Sequence, residues 1–204
     1  MEFSDLIQKR RACHHFIPGL NIPDGELLVM IEEASLSPSG YNAQPWEFVI
    51  IREQKNISEV AKFAYKQPHV ADASALILVL GDMEIGRNVD ELLEDWVKFG
   101  YCAEEEIPVF RNSIAKVRSP EKRKQMALRN AMLASMTLIF SAENKGYATC
   151  PIMGISQWEL QEHLGLPEDR PIALLIAIGT EDSGKEKPRL PRKKCRDLVH
   201  WEKF

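Results

Sequence analysis

Apolar positions recur along this chain at two spacings, and the turn residues between them mark out the elements. Residues 4–13 read as a short helix closing on the basic tip Lys9, Arg10 and Arg11. In IPDGELLVMIEEASL, Leu27, Leu28, Ile31 and Ala34 fall at helical spacing, with Asp24 and Glu26 where the positive end of a helix dipole favours acids. A turn at Pro18 and Gly19 separates the two helices. Residues 46–51 and 75–80 are short runs of aliphatic and aromatic side chains, as buried strands are, with a helix near 57–64 between them. From about residue 83 to 124 the chain is more charged and less regular. Leu92, Leu93, Trp96 and Val97 mark one amphipathic helix there, and the remainder is expected to run as a lid-like excursion over the body of the protein.

The clearest helix runs from about 120 to 144. From Ala131 onward, AMLASMTLIFSA is apolar or small on almost every side, which predicts a centrally buried helix. Gly146 ends it and YATC follows as a short strand. Ser156 and Glu159 are spaced as a capping box for a helix reaching Leu164, which Gly165 and Pro167 then stop. Residues 172–178 form the third strong strand, and the tail from Thr180 is basic and proline-punctuated. With no internal repeat or low-complexity tract, the pattern predicts one α+β domain over 1–204, a small sheet with helices on both sides.

Composition narrows the function classes. The 204 residues are 45% hydrophobic, enough to bury one substantial core. A formal net charge of −4 argues against a dedicated nucleic-acid binder, while leaving room for a local basic patch that holds a phosphate. Cys13, Cys102, Cys150 and Cys195 contain no C-x-x-C pair, so neither a disulfide framework nor a zinc site is expected, and a reducing cytoplasm fits best. The start, MEFSDLIQKRR, has its charges in the wrong order for a secretory signal, and no apolar run approaches a membrane span.

Few motifs carry chemistry by themselves. GDMEIGRN at 81–88 has the glycine spacing of a phosphate loop, but Arg87 and Asn88 stand where Lys and Ser or Thr would be needed. No G-x-G-x-x-G follows a strand. His14 and His15 are adjacent, so they point in different directions, and no partner lies at a binding spacing; no metal is expected. Cys13 and Cys150 lack a recognisable base and read as inert buried thiols. Basic residues cluster twice, as Lys9, Arg10 and Arg11 and as Lys187, Arg189 and Arg192. Either both groups are solvated charge, the first complementing a helix C-terminus, or they converge on one anion such as a phosphate.

Four stretches together carry a resemblance. KRRACHHF, SPSGYNAQPW followed by EFVII, GYATCPIMGI, and GLPEDRPIALLIAIG with KPRLPR behind it stand in the order and at the intervals of the FMN-dependent nitroreductase family, which the chain resembles over nearly its whole length outside 83–124. The resemblance implies an α+β core with a small, mostly antiparallel sheet. It also implies an intertwined homodimer with two identical flavin sites at the interface. Position by position, Arg10, Arg11 and Ala12 match the first FMN-binding segment, with His14 where Arg or Lys is usual and Ala12 where Ser is common. Pro38, Ser39, Gly40 and Asn42, with Gln44 just beyond, match a loop that reaches the partner's flavin, Gly40 and its neighbours turning the chain tightly. Lys66, Gln67 and His69 fall where polar side chains meet the flavin's pyrimidine edge or ribityl chain. Pro151, Ile152, Met153 and Gly154 match the segment along the isoalloxazine, while Lys187, Arg189 and Arg192 match residues that grip the phosphate.

The implied reaction uses the cofactor rather than a catalytic side chain. NADH or NADPH passes hydride to flavin N5 and leaves, and an electron-poor acceptor such as a nitroaromatic or quinone takes its place, a ping-pong scheme in which Arg10, assisted by His14 when protonated, stabilises the negative charge that develops. Trp96, Phe99, Tyr101 and Phe110 are the implied lid, with ordinary helix packing as the other reading of those aromatics. Relatives of the same fold that dehalogenate, reduce enones or destroy flavin give one alternative. A non-catalytic FMN-binding module gives a second, and a flavin-free interaction protein a third.

Overall fold

In this computed structural model residues 2–84, 87–116, 119–185 and 187–204 are described. Four strands, β1 (Trp46–Ile51), β2 (Ala75–Gly81), β3 (Ala148–Ile152) and β4 (Ile172–Gly179), form one sheet in the order β1-β2-β4-β3, with every neighbouring pair antiparallel. Every residue of β2 is buried. Leu76, Leu78 and Leu80 share one apolar cluster with Leu175 and Ala177 of β4, while Ala75, Ile77 and Val79 share another with Leu174, Ile176 and Ile178. A strand covered on both faces has no use for a polar side chain, which is why β2 and β4 read as unbroken apolar runs.

Among the described residues, eight α-helices accompany the sheet: α1 (Phe3–Lys9), α2 (Asp24–Ser35), α3 (Gln54–Phe63), α4 (Pro68–Ala71), α5 (Val89–Lys98), α6 (Ile107–Ala115), α7 (Pro120–Asn144) and α8 (Gln157–His163). On one face α7 lays Ala131, Ala134, Leu138 and Ala142 against the strands, with Leu27, Met30 and Ala34 of α2 beside them. Its small residues allow a close approach. A Cβ added at Gly81 would lie 2.9 Å from the Cβ of Ala127, so β2 has to end in glycine there. The other face is covered by Ile57, Val60 and Ala61 of α3, Val70 of α4 and Leu160 of α8.

Several expectations change. α1 stops at Lys9 rather than running to residue 13: the Arg10 N–H closes the last turn on the Leu6 carbonyl at 2.9 Å, and β3 then captures the chain. Ala12 bridges Thr149 in parallel, and the Cys13 N–H donates to the Thr149 carbonyl at 2.9 Å. Leu28 is exposed, so the buried stripe of α2 is Leu27, Met30 and Ala34. Ser156 precedes α8 but makes no capping bond with its side chain; its N–H donates instead to the Phe63 carbonyl at 2.8 Å, tying α8 to α3. The 83–124 stretch carries α5 as expected, and also α6, with Trp96 and Phe110 ring centroids 5.0 Å apart. Gly86, in the glycine-spaced stretch 81–88, lies outside the described residues. No helix among the described residues is long and apolar enough to cross a membrane.

Candidate functional site

The two basic segments meet. A cleft of about 320 Å³ is lined by Arg11, Ala12 and His14 from the N-terminal side and by Lys187, Pro188, Arg189, Leu190 and Arg192 from the tail. One guanidinium makes the join: Nη2 of Arg189 donates to the carbonyls of Ile7 at 2.9 Å, Gln8 at 3.0 Å and Arg10, the free acceptors at the end of α1. Arg11 pairs with Glu181 at 3.3 Å, and Lys9 with Glu143 at 3.6 Å. Among the described residues Arg192 makes a local bond, to the Leu190 carbonyl at 2.8 Å. Burial and then the charge of Arg189 push the pKa of Arg10 down; Glu143 opposes this and Arg192 adds to it. The nearby Arg189 charge disfavours charge on Arg10, and an anion in the cleft would relieve that repulsion. The two clusters thus meet in space, with Arg189 of the second capping the helix that carries the first.

Next to this cleft, the segment before β2 meets the segment that ends β3. The Gln67 side chain donates to the carbonyls of Ala64 at 3.0 Å and Gly154 at 3.3 Å. Tyr65 and Lys66 both have φ of +53°, a left-handed conformation that is uncommon without glycine. His69 is buried at the start of this packing and meets the His14 ring edge to face, centroids 4.9 Å apart. Ile152 is buried, while Met153 and Gly154 are exposed along the rim. Segments 10–14, 66–69 and 151–154 thus share one neighbourhood.

Its histidines and cysteines are shifted toward their uncharged forms. His14 is lowered by desolvation, then by Lys187 and His15; His69 is lowered by desolvation, then by His14 and His15. His14 is therefore neutral at neutral pH in the chain by itself, and the permanent charge of the cleft comes from Arg and Lys rather than from imidazole. Burial raises the thiols of Cys13 and Cys150 to about 11, so both are protonated at neutral pH in the chain by itself. The fold also does what spacing concealed: His14, His69 and Cys150, remote in sequence, bring their ligand atoms within 4.8 Å of one another.

The loop before β1 lies at a different cavity. Pro38, Ser39, Tyr41 and Asn42 face Asp95, Trp96, Phe99 and Tyr101 across about 500 Å³, and this space shares no lining residue with the cationic cleft. Its tight turning is not done by Gly40, whose φ is ordinary, but by Tyr41, Asn42 and Gln44 at φ of +60°, +53° and +45°. Surrounding bonds fix them: the Gly40 N–H donates to Asn130 Oδ1 at 2.9 Å, the Gln44 N–H donates to Ser39 Oγ at 2.9 Å, and the Ser37 and Thr137 hydroxyls meet at 2.6 Å. Strain held in this way concentrates at functional sites. Trp96 is buried against Tyr101 and Phe110, whereas Phe99 and Tyr101 are exposed toward the loop, so the four aromatics divide between packing and lining. A larger cleft of about 610 Å³ lies between α2, β1 and α8, but Arg52 there already pairs with Asp24.

Comparison with known proteins agrees with this architecture. The chain is 28% identical to MhqN of Bacillus subtilis, with 98% of each chain covered, and 28% identical to an oxygen-insensitive NADPH nitroreductase of Helicobacter pylori, with 96% of this chain and 94% of that protein covered. A structure from Exiguobacterium sibiricum, crystallised in complex with FMN, superposes with a TM-score of 0.85 at 28% identity, covering 99% of this chain and 98% of that one. Residues 7–180 match the Nitroreductase family as a whole, and the chain belongs to that family.

Proposed function

We propose that this protein is an FMN-dependent oxidoreductase that takes electrons from NADH or NADPH and reduces an electron-poor acceptor such as a nitroaromatic or quinone. The observation that carries the reading is the convergence of Arg11, Lys187, Arg189 and Arg192 on one cleft, near the exposed rim at Met153 and Gly154. The residues fit the cofactor. An anionic phosphate suits guanidinium and ammonium donors, and a flat ring suits a rim where a Cβ at Gly154 would meet only the Gln67 amide, at 4.0 Å. Lys187 and Arg192 would hold the phosphate, Arg189 would place them by capping α1, and the backbone of 151–154 would lie along the ring. When bound, FMN accepts hydride from the nicotinamide and delivers electrons to the acceptor in a separate half-reaction. Around it, Arg10 and Lys187 supply fixed positive charge that lowers the energy of negative charge building up on the ring.

The working unit in this reading is a homodimer. The 38–44 loop has its own cavity, away from the cleft of the same chain, so it is free to complete the partner's. Phe3, Ile7, Leu133 and Met136 are exposed on α1 and α7, as are Leu190, Trp201 and Phe204 on the tail, and a second copy would cover them. Phe99 and Tyr101 then form a wall of the acceptor pocket, and the four free thiols fit a reducing cytoplasm. Anaerobic oxidation of NADH or NADPH with a quinone or nitroaromatic, followed at steady state, tests the activity. Sustained turnover is expected; flavin uptake without turnover would instead identify a binding module.

A further inference from the structure

We propose that His14, His69 and Cys150 form a binding site for a zinc-type divalent transition ion, a site that rests on no part of the flavin reading. β3 carries Cys150, the one-turn helix α4 carries His69, and His14 follows the bridge that fastens residue 12 to Thr149, so three separate elements deliver one donor each to the same point. The three ligand atoms lie within 4.8 Å of one another. Around a tetrahedral ion with bonds of about 2.0 Å to nitrogen and about 2.3 Å to sulfur, such atoms stand roughly 3–4 Å apart. His14 is exposed, so its ring has room to turn toward the two buried donors.

The donors suit a metal better than they suit one another. His69 and Cys150 are buried, at 7% and 3% exposure; His69 meets the His14 ring edge, with Asp72 and Lys187 also in electrostatic reach, and Cys150 sits in an apolar cluster. On binding, the Cys150 S–H bond breaks, the proton leaves to water, and the sulfur lone pair forms the bond to the ion with no change in oxidation state. Two imidazoles and a thiolate leave a fourth position for water, and this donor set selects borderline ions over magnesium or calcium. Lys187 places positive charge nearby, which the thiolate partly offsets. Cys13 is not counted as a ligand, because its thiol already donates to the His15 carbonyl at 3.3 Å.

The test uses the full chain as purified, stripped with a chelator, then titrated with Zn(II) against a chromophoric competitor and measured by zinc X-ray absorption, with and without FMN. One ion per chain is expected, with a sulfur shell near ~2.3 Å and nitrogen near ~2.0 Å. His69→Gln should weaken binding at least about tenfold, the smallest loss seen even for outer-shell partners. Cys150→Ser should do the same and remove the sulfur shell, while Cys195→Ser and His200→Gln, both exposed elsewhere, should leave affinity unchanged. If Cys150→Ser does not fold, His69→Gln and His14→Ala decide the matter. Absence of stoichiometric binding overturns the proposal. So does a sulfur shell that persists in Cys150→Ser, or an affinity unmoved by His69→Gln.

Discussion

Individual side chains near the cleft divide into those that hold the chain and those left with unmet charge. Arg189 spends its guanidinium on the carbonyls at the end of α1, whereas among the described residues Arg192 bonds the Leu190 carbonyl. Arg189→Ala is therefore expected to lower stability by about 1 kcal/mol or less, as loss of a charged helix cap does; Arg192→Ala should leave thermal unfolding alone and weaken FMN binding. Equal effects of the two on melting would contradict this division. Thiols separate in the same way. With Cys13 and Cys150 raised to about 11 by burial and Cys195 exposed, a thiol reagent at mildly alkaline pH should modify Cys195 first, with the buried pair reacting only on unfolding, as read by mass spectrometry. The histidines give a pH signature. His14 and His69 lie below their ordinary 6.5 in the folded chain, so the unfolded chain takes up those protons first as pH falls. Stability should decline below about pH 6.5, and the urea midpoint of His69→Gln should fall less steeply than that of the unsubstituted chain.

Among the elements, strands and long helices were legible wherever burial on both faces leaves no choice of residue, as in β2, β4 and the second half of α7. Features decided by remote partners were not. Nothing in Arg10–Cys13 says that β3 will take the chain out of helix, because the signal is a backbone bond to Thr149. Tyr41 and Gln44 do not announce left-handed backbone as glycine would; the Asn130 amide and the Ser39 hydroxyl impose it. The basic clusters were visible, but spacing could not reveal that Arg189 caps α1, nor that His14 meets His69 and Cys150. These placements have measurable consequences. Gly81→Ala should cost about 1–3 kcal/mol, since the new methyl strikes Ala127 of a packed helix. Gln44→Gly should relieve backbone strain and raise stability by about 1 kcal/mol, read from denaturant midpoints.

At the scale of the whole molecule, the account joins a cationic cleft, an exposed rim at 151–154 and a strained loop that opens on another cavity into one flavin enzyme completed by a second copy. In the proposed dimer a second copy would cover the apolar side chains of α1, α7 and the tail that stand in the open in a single chain. Its central claim is that the cleft is an FMN phosphate site, and flavin fluorescence quenching tests that directly, on the full chain and on the Lys187→Met, Arg192→Met double variant. Two charged contacts of about 1.5 kcal/mol each correspond to roughly 100-fold in affinity. The account predicts one FMN per chain, bound about 100-fold more weakly by the double variant, with unchanged melting of the flavin-free protein. A chain that takes up no FMN, or a double variant that binds it as tightly as the original, would contradict it.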